Sequence, residues 1–325
     1  MAMAIRFHET GGAEVLRYED VSVGEPGPGQ VRLRQMAIGL NYIDVYHRNG
    51  LYPVPSLPSG IGLEAAAVVD AVGPGVEAPK VGQRVAYAGG PVGAYAEARL
   101  MPADRVVVLP DAISDKQAAA MMLQGMTAQY LLRRTYPVKA GDTVLIHAAA
   151  GGVGLIACQW AKHIGATVIG TVGSDEKAEL ARANGCDHPI VYSREDFVAE
   201  VKRLTGGCGV AVVYDSVGAS TFAGSLDCLR PMGMMVSFGN ASGPVPAFEP
   251  GILAAKGSLF FTRPTLMTYT ADPADLRRTA RELFEVVQSG AVKIHVNHEY
   301  PLAEAAQAHL DLEARKTTGS TILLP

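Results

Sequence analysis

The chain has 325 residues, 48% of them hydrophobic and 18% charged, with 36 glycines. At roughly 100–200 residues per domain this is material for two domains with a sizeable core. A formal net charge of -4 with no block of like charges excludes a basic nucleic-acid footprint and a polybasic membrane patch, so neither nucleic acid nor membrane is an expected partner.

The N-terminus, MAMAIRFHETGG, lacks the apolar run and the small-residue cleavage pattern of a signal peptide. No apolar stretch approaches the ~20 residues that span a bilayer. Cys158, Cys186, Cys208 and Cys228 lie far apart with no C-x-x-C among them. They read as reduced, mostly buried thiols in a cytoplasmic protein.

Up to about residue 120 the chain reads as all-β, a small barrel or sandwich. Short apolar runs (VRLRQMAI, EAAAVVDAVG, RVAYA, AYAEARL, RVVVLP) are cut by Gly/Pro clusters such as GEPGPGQ. One residue stands out: Glu64 heads the apolar strand EAAAVV, and a lone carboxylate is costly to bury unless something pairs with it. Ser114 with Gln117 three residues later predicts a capping box, and a second helix is expected over TAQYLLRRT.

A regular rhythm follows. Strands are expected to start near Thr143, Thr167, Ile190, Val210, Gly233 and Ser258. Helices are expected over Gly152–Ile164, Asp175–Asn184, Glu195–Leu204 and Thr221–Leu229. This is the βαβ pattern of a doubly wound, six-stranded parallel sheet. After Arg263 the rhythm stops. A long helix near Ala274–Ser289, a strand at IHVNHEYP, a helix over Leu302–Ala314 and the strand STILLP form a tail. It is too short for a domain and is expected to complete the N-terminal one. His295 and His298 of HVNH lack a third ligand and are assigned no function.

Between the first two strands of the rhythm lies the turn Ala149-Ala150-Gly151-Gly152-Val153-Gly154, an A-x-G-x-x-G form of the dinucleotide fingerprint. Gly151 lets the backbone approach a pyrophosphate, Gly154 lets the helix pack on the strand, and the helix N-terminus offers N–H groups to the anion. The second strand ends in Val172-Gly173-Ser174, without the carboxylate that takes an NAD ribose hydroxyl, and Lys177 lies one turn into the next helix. NADPH is therefore the expected cofactor. Ser174 reads either as a donor to a 2′-phosphate or as the helix N-cap.

These residues carry a family resemblance. GDTVLIHAAAGGVGLIACQWAK (residues 141–162) resembles the signature of the zinc-independent quinone oxidoreductases, the zeta-crystallin-like branch of the medium-chain dehydrogenase/reductase superfamily. AIGLNYIDVYHRNGLYP, LPSGIGLEAAAVV, VVYDSVG, MVSFGNASG and the terminal LLP extend it over nearly the whole chain. The resemblance implies a GroES-like domain from residues 1–124 and 264–325, a Rossmann domain from 125–263, and an active site in the cleft between them. It also implies a homodimer paired through the edge strand SLFFT, and NADPH-dependent reduction of a small quinone.

Zinc-dependent relatives carry a metal-binding His before the Glu. Here the segment is Gly62-Leu63-Glu64, and the two other ligand positions hold Asn41 and Gln124, so no metal is expected and Glu64 reads as an inherited structural carboxylate. A quinone needs less electrophilic help than a ketone, which leaves positioning as the main task. Asn41 can donate to a quinone oxygen, Tyr46 and Tyr52 can stack or donate, and Asp44 orders the cluster. By resemblance, Asn41 and Tyr46 face the nicotinamide, with Gln124 and Thr127 nearby.

Cofactor contacts implied by the resemblance are Gly151, Gly152, Val153, Gly154, Gly173, Ser174, Lys177, Tyr192, Ser216, Val217, Phe238, Gly239, Asn240, Thr262, Arg263 and, from the tail, Arg315. An enone or alkenal double-bond reductase on the same scaffold is the alternative enzyme. A structural or RNA-binding crystallin-like protein is the alternative outside enzymes.

Overall fold

Apolar runs punctuated by glycine and proline become strands in the computed structural model, which describes residues 1–325. The N-terminal run contains β1 (Ala2–Phe7), β2 (Arg17–Val21), β3 (Gln30–Leu40), β4 (Ser59–Gly60), β5 (Glu64–Val72), β6 (Arg84–Ala88), β7 (Ala98–Pro102) and β8 (Val107–Val108). It is not all-β. Helix α1 (Tyr42–Arg48) follows β3 directly. Asn41, extended at φ -131°, caps it, and the carboxylate of Asp44 accepts from the Asn41 backbone N–H at 2.9 Å. The aromatic spacing of NYIDVYHR concealed this short helix, whose cap is the signal that marks it.

Helix α2 (Asp115–Ala119) starts at Ser114, whose side chain accepts from the Gln117 N–H as the capping box requires. The next helix begins earlier than its sequence pattern suggested: α3 spans Met122–Tyr130, and Leu131–Thr135 widen into a π-helical turn.

The parallel rhythm is realised by β9 (Thr143–Ile146), α4 (Gly152–Ile164), β10 (Thr167–Val172), α5 (Asp175–Ala183), β11 (His188–Val191), α6 (Phe197–Leu204) and β12 (Val210–Asp215). It continues with α7 (Phe222–Asp227), β13 (Leu229–Ser237), α8 (Gly251–Ala255), β14 (Phe260–Thr262) and α9 (Leu266–Tyr269). The order β11-β10-β9-β12-β13-β14 is that of a doubly wound sheet, and every pair is parallel. β13 begins at Leu229, before the expected Gly233, with a register shift against β12. The core is built from Leu145, Ile169, Val201, Val213 and Met235.

The tail supplies α10 (Pro273–Gln288), β15 (Val296–Pro301), α11 (Ala305–Glu313) and β16 (Ser320–Leu324). α10 buries Leu276, Ala280, Leu283 and Phe284, the helical spacing of an amphipathic face. β16 pairs with β3 in antiparallel register and with β15 in parallel register, so the tail completes the N-terminal sheet in the order β15-β16-β3-β5-β6-β8. Its core includes Phe7, Leu33, Ile38, Tyr87, Met101 and Leu323.

Two units result: residues 1–126, 270–288 and 294–325 in the first, and 127–269 with 289–293 in the second. No helix is long and apolar enough to cross a membrane.

Candidate active site

Two groups of residues matter, one in each unit. In the first, Glu64 opens β5 opposite Gly39 of β3. A side chain at 39 would place its Cβ 2.3 Å from both the Ala119 carbonyl and Glu64 Oε2, so glycine makes the space this carboxylate occupies.

The pairing that a buried carboxylate requires is present. Glu64 Oε2 accepts from Asn41 Nδ2 at 2.6 Å and Oε1 from the Leu123 N–H at 2.8 Å. Asn41 Oδ1 accepts from Gln124 Nε2 at 3.1 Å, and Gln124 Oε1 accepts from the Ser320 hydroxyl at 2.6 Å. Burial pushes the Glu64 carboxyl up to about 8, against the opposing pull of Asn41 and the Leu123 and Met122 N–H groups; the nearby Asp44 charge pushes it further up.

Asp44 belongs to a second buried chain. Its Oδ2 accepts from the Tyr95 hydroxyl at 2.9 Å. Tyr95 has one hydrogen, so its oxygen accepts from His309 Nε2 at 3.2 Å. His309 Nδ1 in turn accepts from Arg48 Nη1 at 3.1 Å, because arginine only donates, and this fixes the histidine tautomer. Arg48 continues to Glu313 at 2.9 Å. Burial raises the Asp44 carboxyl to about 7, while burial and the Arg48 charge lower His309 to about 3.

Helix α1 also presents aromatic rings. The Tyr46 centroid lies 5.4 Å from that of Tyr42 and 5.1 Å from that of Tyr52, at tilted and edge-on angles. Asn41, Asp44 and Gln124 are thus joined by hydrogen bonds, and Tyr46 and Tyr52 by ring contact, in this unit. Tyr95, Arg48, His309 and Ser320 join it without any local signal in the sequence. Arg315 also lies in this unit, exposed, at φ 58° just beyond α11.

In the second unit the expected cofactor residues lie at or just beyond the carboxyl ends of the parallel strands. The glycine turn follows β9. A Cβ on Gly154 would sit 2.3 Å from the Ala148 carbonyl oxygen and one on Gly151 at 3.2 Å, so the turn tolerates no side chain at the first of these and little at the second. Gly151 caps α4 without a side-chain hydrogen bond, leaving first-turn N–H groups for an anion.

Gly173 follows β10, and a Cβ there would meet the Tyr192 hydroxyl at 3.0 Å. Ser174 is the N-cap of α5, accepting from the Lys177 N–H at 3.4 Å. Of the two carboxylates that follow β10, Asp175 is held by Arg194 through two bonds of 2.6 Å, and Glu176 is hydrogen-bonded to Ser174. Ser216 and Val217 follow β12, and Phe238, Gly239 and Asn240 follow β13. Thr262 ends β14 and Arg263 follows it. Thr127 is buried in α3. This donor set, with glycines where a phosphate backbone must approach, fits a phosphorylated dinucleotide.

Residues 27–111 match the family described as alcohol dehydrogenase GroES-like domain, and residues 152–283 the one described as zinc-binding dehydrogenase. A quinone oxidoreductase of Pseudomonas aeruginosa is 56% identical over 325 residues, covering 100% of both chains. A 2-haloacrylate reductase of a Burkholderia species is 50% identical, covering 100% of this chain and 99% of its own. Among solved structures, Escherichia coli quinone oxidoreductase complexed with NADPH superposes with a TM-score of 0.98 at 50% identity, covering 100% of both chains.

The zinc in the second family's description does not fit the residues present. Leu63 has no donor atom, both ends of the Asn41 amide are engaged, and no group of three His, Cys, Asp or Glu side chains that could hold a metal is assembled. Glycine turn, doubly wound sheet, GroES-like unit and full-length similarity agree: the chain is an oxidoreductase of the quinone oxidoreductase family, within the medium-chain dehydrogenase/reductase superfamily.

Proposed function

We propose that the protein reduces quinones with NADPH by hydride transfer, without zinc, the acceptor being stacked against the nicotinamide. The observation that carries this reading is the Glu64–Asn41–Gln124–Ser320 network, which engages the amides of Asn41 and Gln124, two of the three positions that the family resemblance gives to metal ligands, while the third holds Leu63. A site without an electrophilic metal suits an acceptor that becomes an aromatic hydroquinone on gaining a hydride and a proton.

Bound NADPH supplies the hydride. The α4 N-terminus and Gly151–Gly154 bind its pyrophosphate, and Lys177 pairs with the 2′-phosphate. Asn41 Nδ2 has one hydrogen committed to Glu64 and a second to donate to the acceptor oxygen. Tyr46 and Tyr52 supply the flat apolar wall that orients the ring. Two copies pair through β14, the exposed edge of the parallel sheet.

The similarity to a 2-haloacrylate reductase favours a second reading, reduction of an activated carbon–carbon double bond by the same cofactor half. The deciding experiment follows NADPH and NADH oxidation by purified protein with benzoquinones, and separately with enones and 2-substituted acrylates, before and after exhaustive chelation. Quinone turnover untouched by chelator, faster with NADPH, supports the main reading. Inert quinones with reactive enones move the function to the second. Loss of activity on chelation overturns the zinc-free site.

The Lys177 assignment has its own check. Lys177→Ala is expected to raise KM for NADPH about tenfold or more, the size of one charge-assisted hydrogen bond, with little change for NADH.

A further inference from the structure

Beneath the dinucleotide loops lies a buried polar chain with no part in the chemistry above. Asp215, Ser225, His147 and Thr171 are each 2% exposed or less. Asp215 ends β12. Its Oδ1 accepts from the Val217 and Gly218 N–H groups at 2.8 and 3.0 Å. Its Oδ2 accepts from the Thr221 hydroxyl at 2.7 Å and the Ser225 hydroxyl at 3.1 Å.

The Ser225 hydroxyl donates to Asp215 Oδ2, so its hydrogen points at the carboxylate. The Ser225 oxygen then accepts from His147 Nε2 at 2.9 Å, and His147 Nδ1 accepts from the Thr171 hydroxyl at 2.8 Å. Burial lowers the His147 pKa and favours the neutral ring, which completes the assignment of protons along the chain. This order is the reverse of a hydrolase triad: the serine gives its hydrogen to the carboxylate, so the histidine is not its base.

His147, Thr171 and Asp215 sit at three strand ends, and Ser225 joins them from α7. His147 directly follows β9 and precedes the glycine turn. Thr171 lies two residues before Gly173 and also accepts the Ala149 N–H at its carbonyl, at 3.0 Å. Asp215 holds the Ser216–Gly218 loop, on which the loop after β13 rests. A Cβ on Gly239 would be 2.4 Å from the Ser216 carbonyl oxygen, and Ser242 donates to the Val217 carbonyl from both N–H and hydroxyl, at 2.7 and 2.9 Å.

We propose that the Asp215–Ser225–His147–Thr171 chain is a positioning device for the cofactor, locking the loops after β9, β10 and β12 into one register so that their contacts with the dinucleotide are set before it binds. The inference rests on the reading that this unit binds NADPH. Asp215 and Ser225 act through the loops and touch no reacting atom.

The test measures NADPH and NADH dissociation constants by fluorescence, together with steady-state KM and kcat, for wild type, Ser225→Ala, Asp215→Asn and Val201→Ala. Val201 is fully buried in the same core, outside the chain, so its truncation reports plain destabilisation. Ser225→Ala removes the bond to Asp215 and the bond from His147 and is expected to raise both dissociation constants by about tenfold, while kcat at saturating NADPH stays within about twofold. Asp215→Asn, if it folds, should exceed this, because its amide nitrogen cannot accept.

Val201→Ala should lower the melting temperature and leave both affinities in place. Ser225→Ala that melts earlier yet binds both dinucleotides like wild type overturns the proposal and leaves the cofactor reading standing. Wild-type protein that binds neither dinucleotide overturns the cofactor reading, and this one with it.

Discussion

Glu64 shows how a single buried group can be stabilised by hydrogen bonds and still be electrostatically costly. Its ordinary pKa is 4.5, and burial carries it to about 8 in the folded protein. Between those values the folded state holds a proton that the unfolded chain releases, so stability falls as pH rises through that window and is level above it. Each unit of pKa difference corresponds to about 1.4 kcal/mol, which makes the effect on the order of a few kcal/mol. Glu64→Gln removes this titration. Denaturant unfolding from pH 5 to pH 8 should therefore give a flatter stability profile for the variant, with remaining slopes of opposite sign from Asp44, itself raised to about 7, and from His309, lowered from 6.5 to about 3. Parallel profiles for the two proteins would show that Glu64 is already ionised at pH 5. The same substitution turns an amide N–H toward Asn41 Nδ2, so Asn41 must flip and Gln124 must follow. Quinone KM should rise about tenfold as the donor is lost.

At the scale of elements, the glycine turn separates glycines that are required by space from those that are not. Gly154→Ala drives a methyl group to within 2.3 Å of a backbone carbonyl that has no flexible side chain to yield. Overpacking of this kind costs typically 1–3 kcal/mol and pushes α4 off β9. NADPH binding by fluorescence should be lost while the far-ultraviolet dichroism stays native. Gly251→Ala, at the start of α8 with nothing within 4 Å of the new Cβ, should change stability by less than about 1 kcal/mol. Equal effects from both would show that helix propensity, not the close approach, governs the turn.

These elements were legible in the sequence because their signals are local: strand spacing, a glycine turn before a helix, a Ser-x-x-Gln cap. α1 escaped because seven residues rich in tyrosine carry too few turns to show a period. The polar chains escaped for another reason. Tyr95 meets His309 across 214 positions and Arg48 meets the same ring across 261, and no spacing rule spans such a gap.

For the whole molecule, the same long-range pairs explain how a tail too short to fold alone completes the first unit: β16 enters the sheet beside β3, and Arg48 ties α1 to α11 through His309 and Glu313. The second unit is left with one side of its sheet ending in β14, a three-residue strand paired only to β13. Phe260 on it is 57% exposed, and Met232 on the neighbouring β13 is 71% exposed. An unpaired edge with exposed apolar side chains favours another strand, and an isologous pairing would set β14 antiparallel to its symmetry mate, joining the two sheets. Phe260→Lys places like charges close together across that axis. Light scattering should then fall from twice the 34.1 kDa chain mass to the single chain. Since every proposed cofactor and acceptor contact comes from one chain, the monomer should keep its NADPH affinity. A wild-type protein already at single-chain mass would remove the dimer from the proposal. A Phe260→Lys variant that dissociates and also loses NADPH would mean that the partner copy supports the cofactor loops.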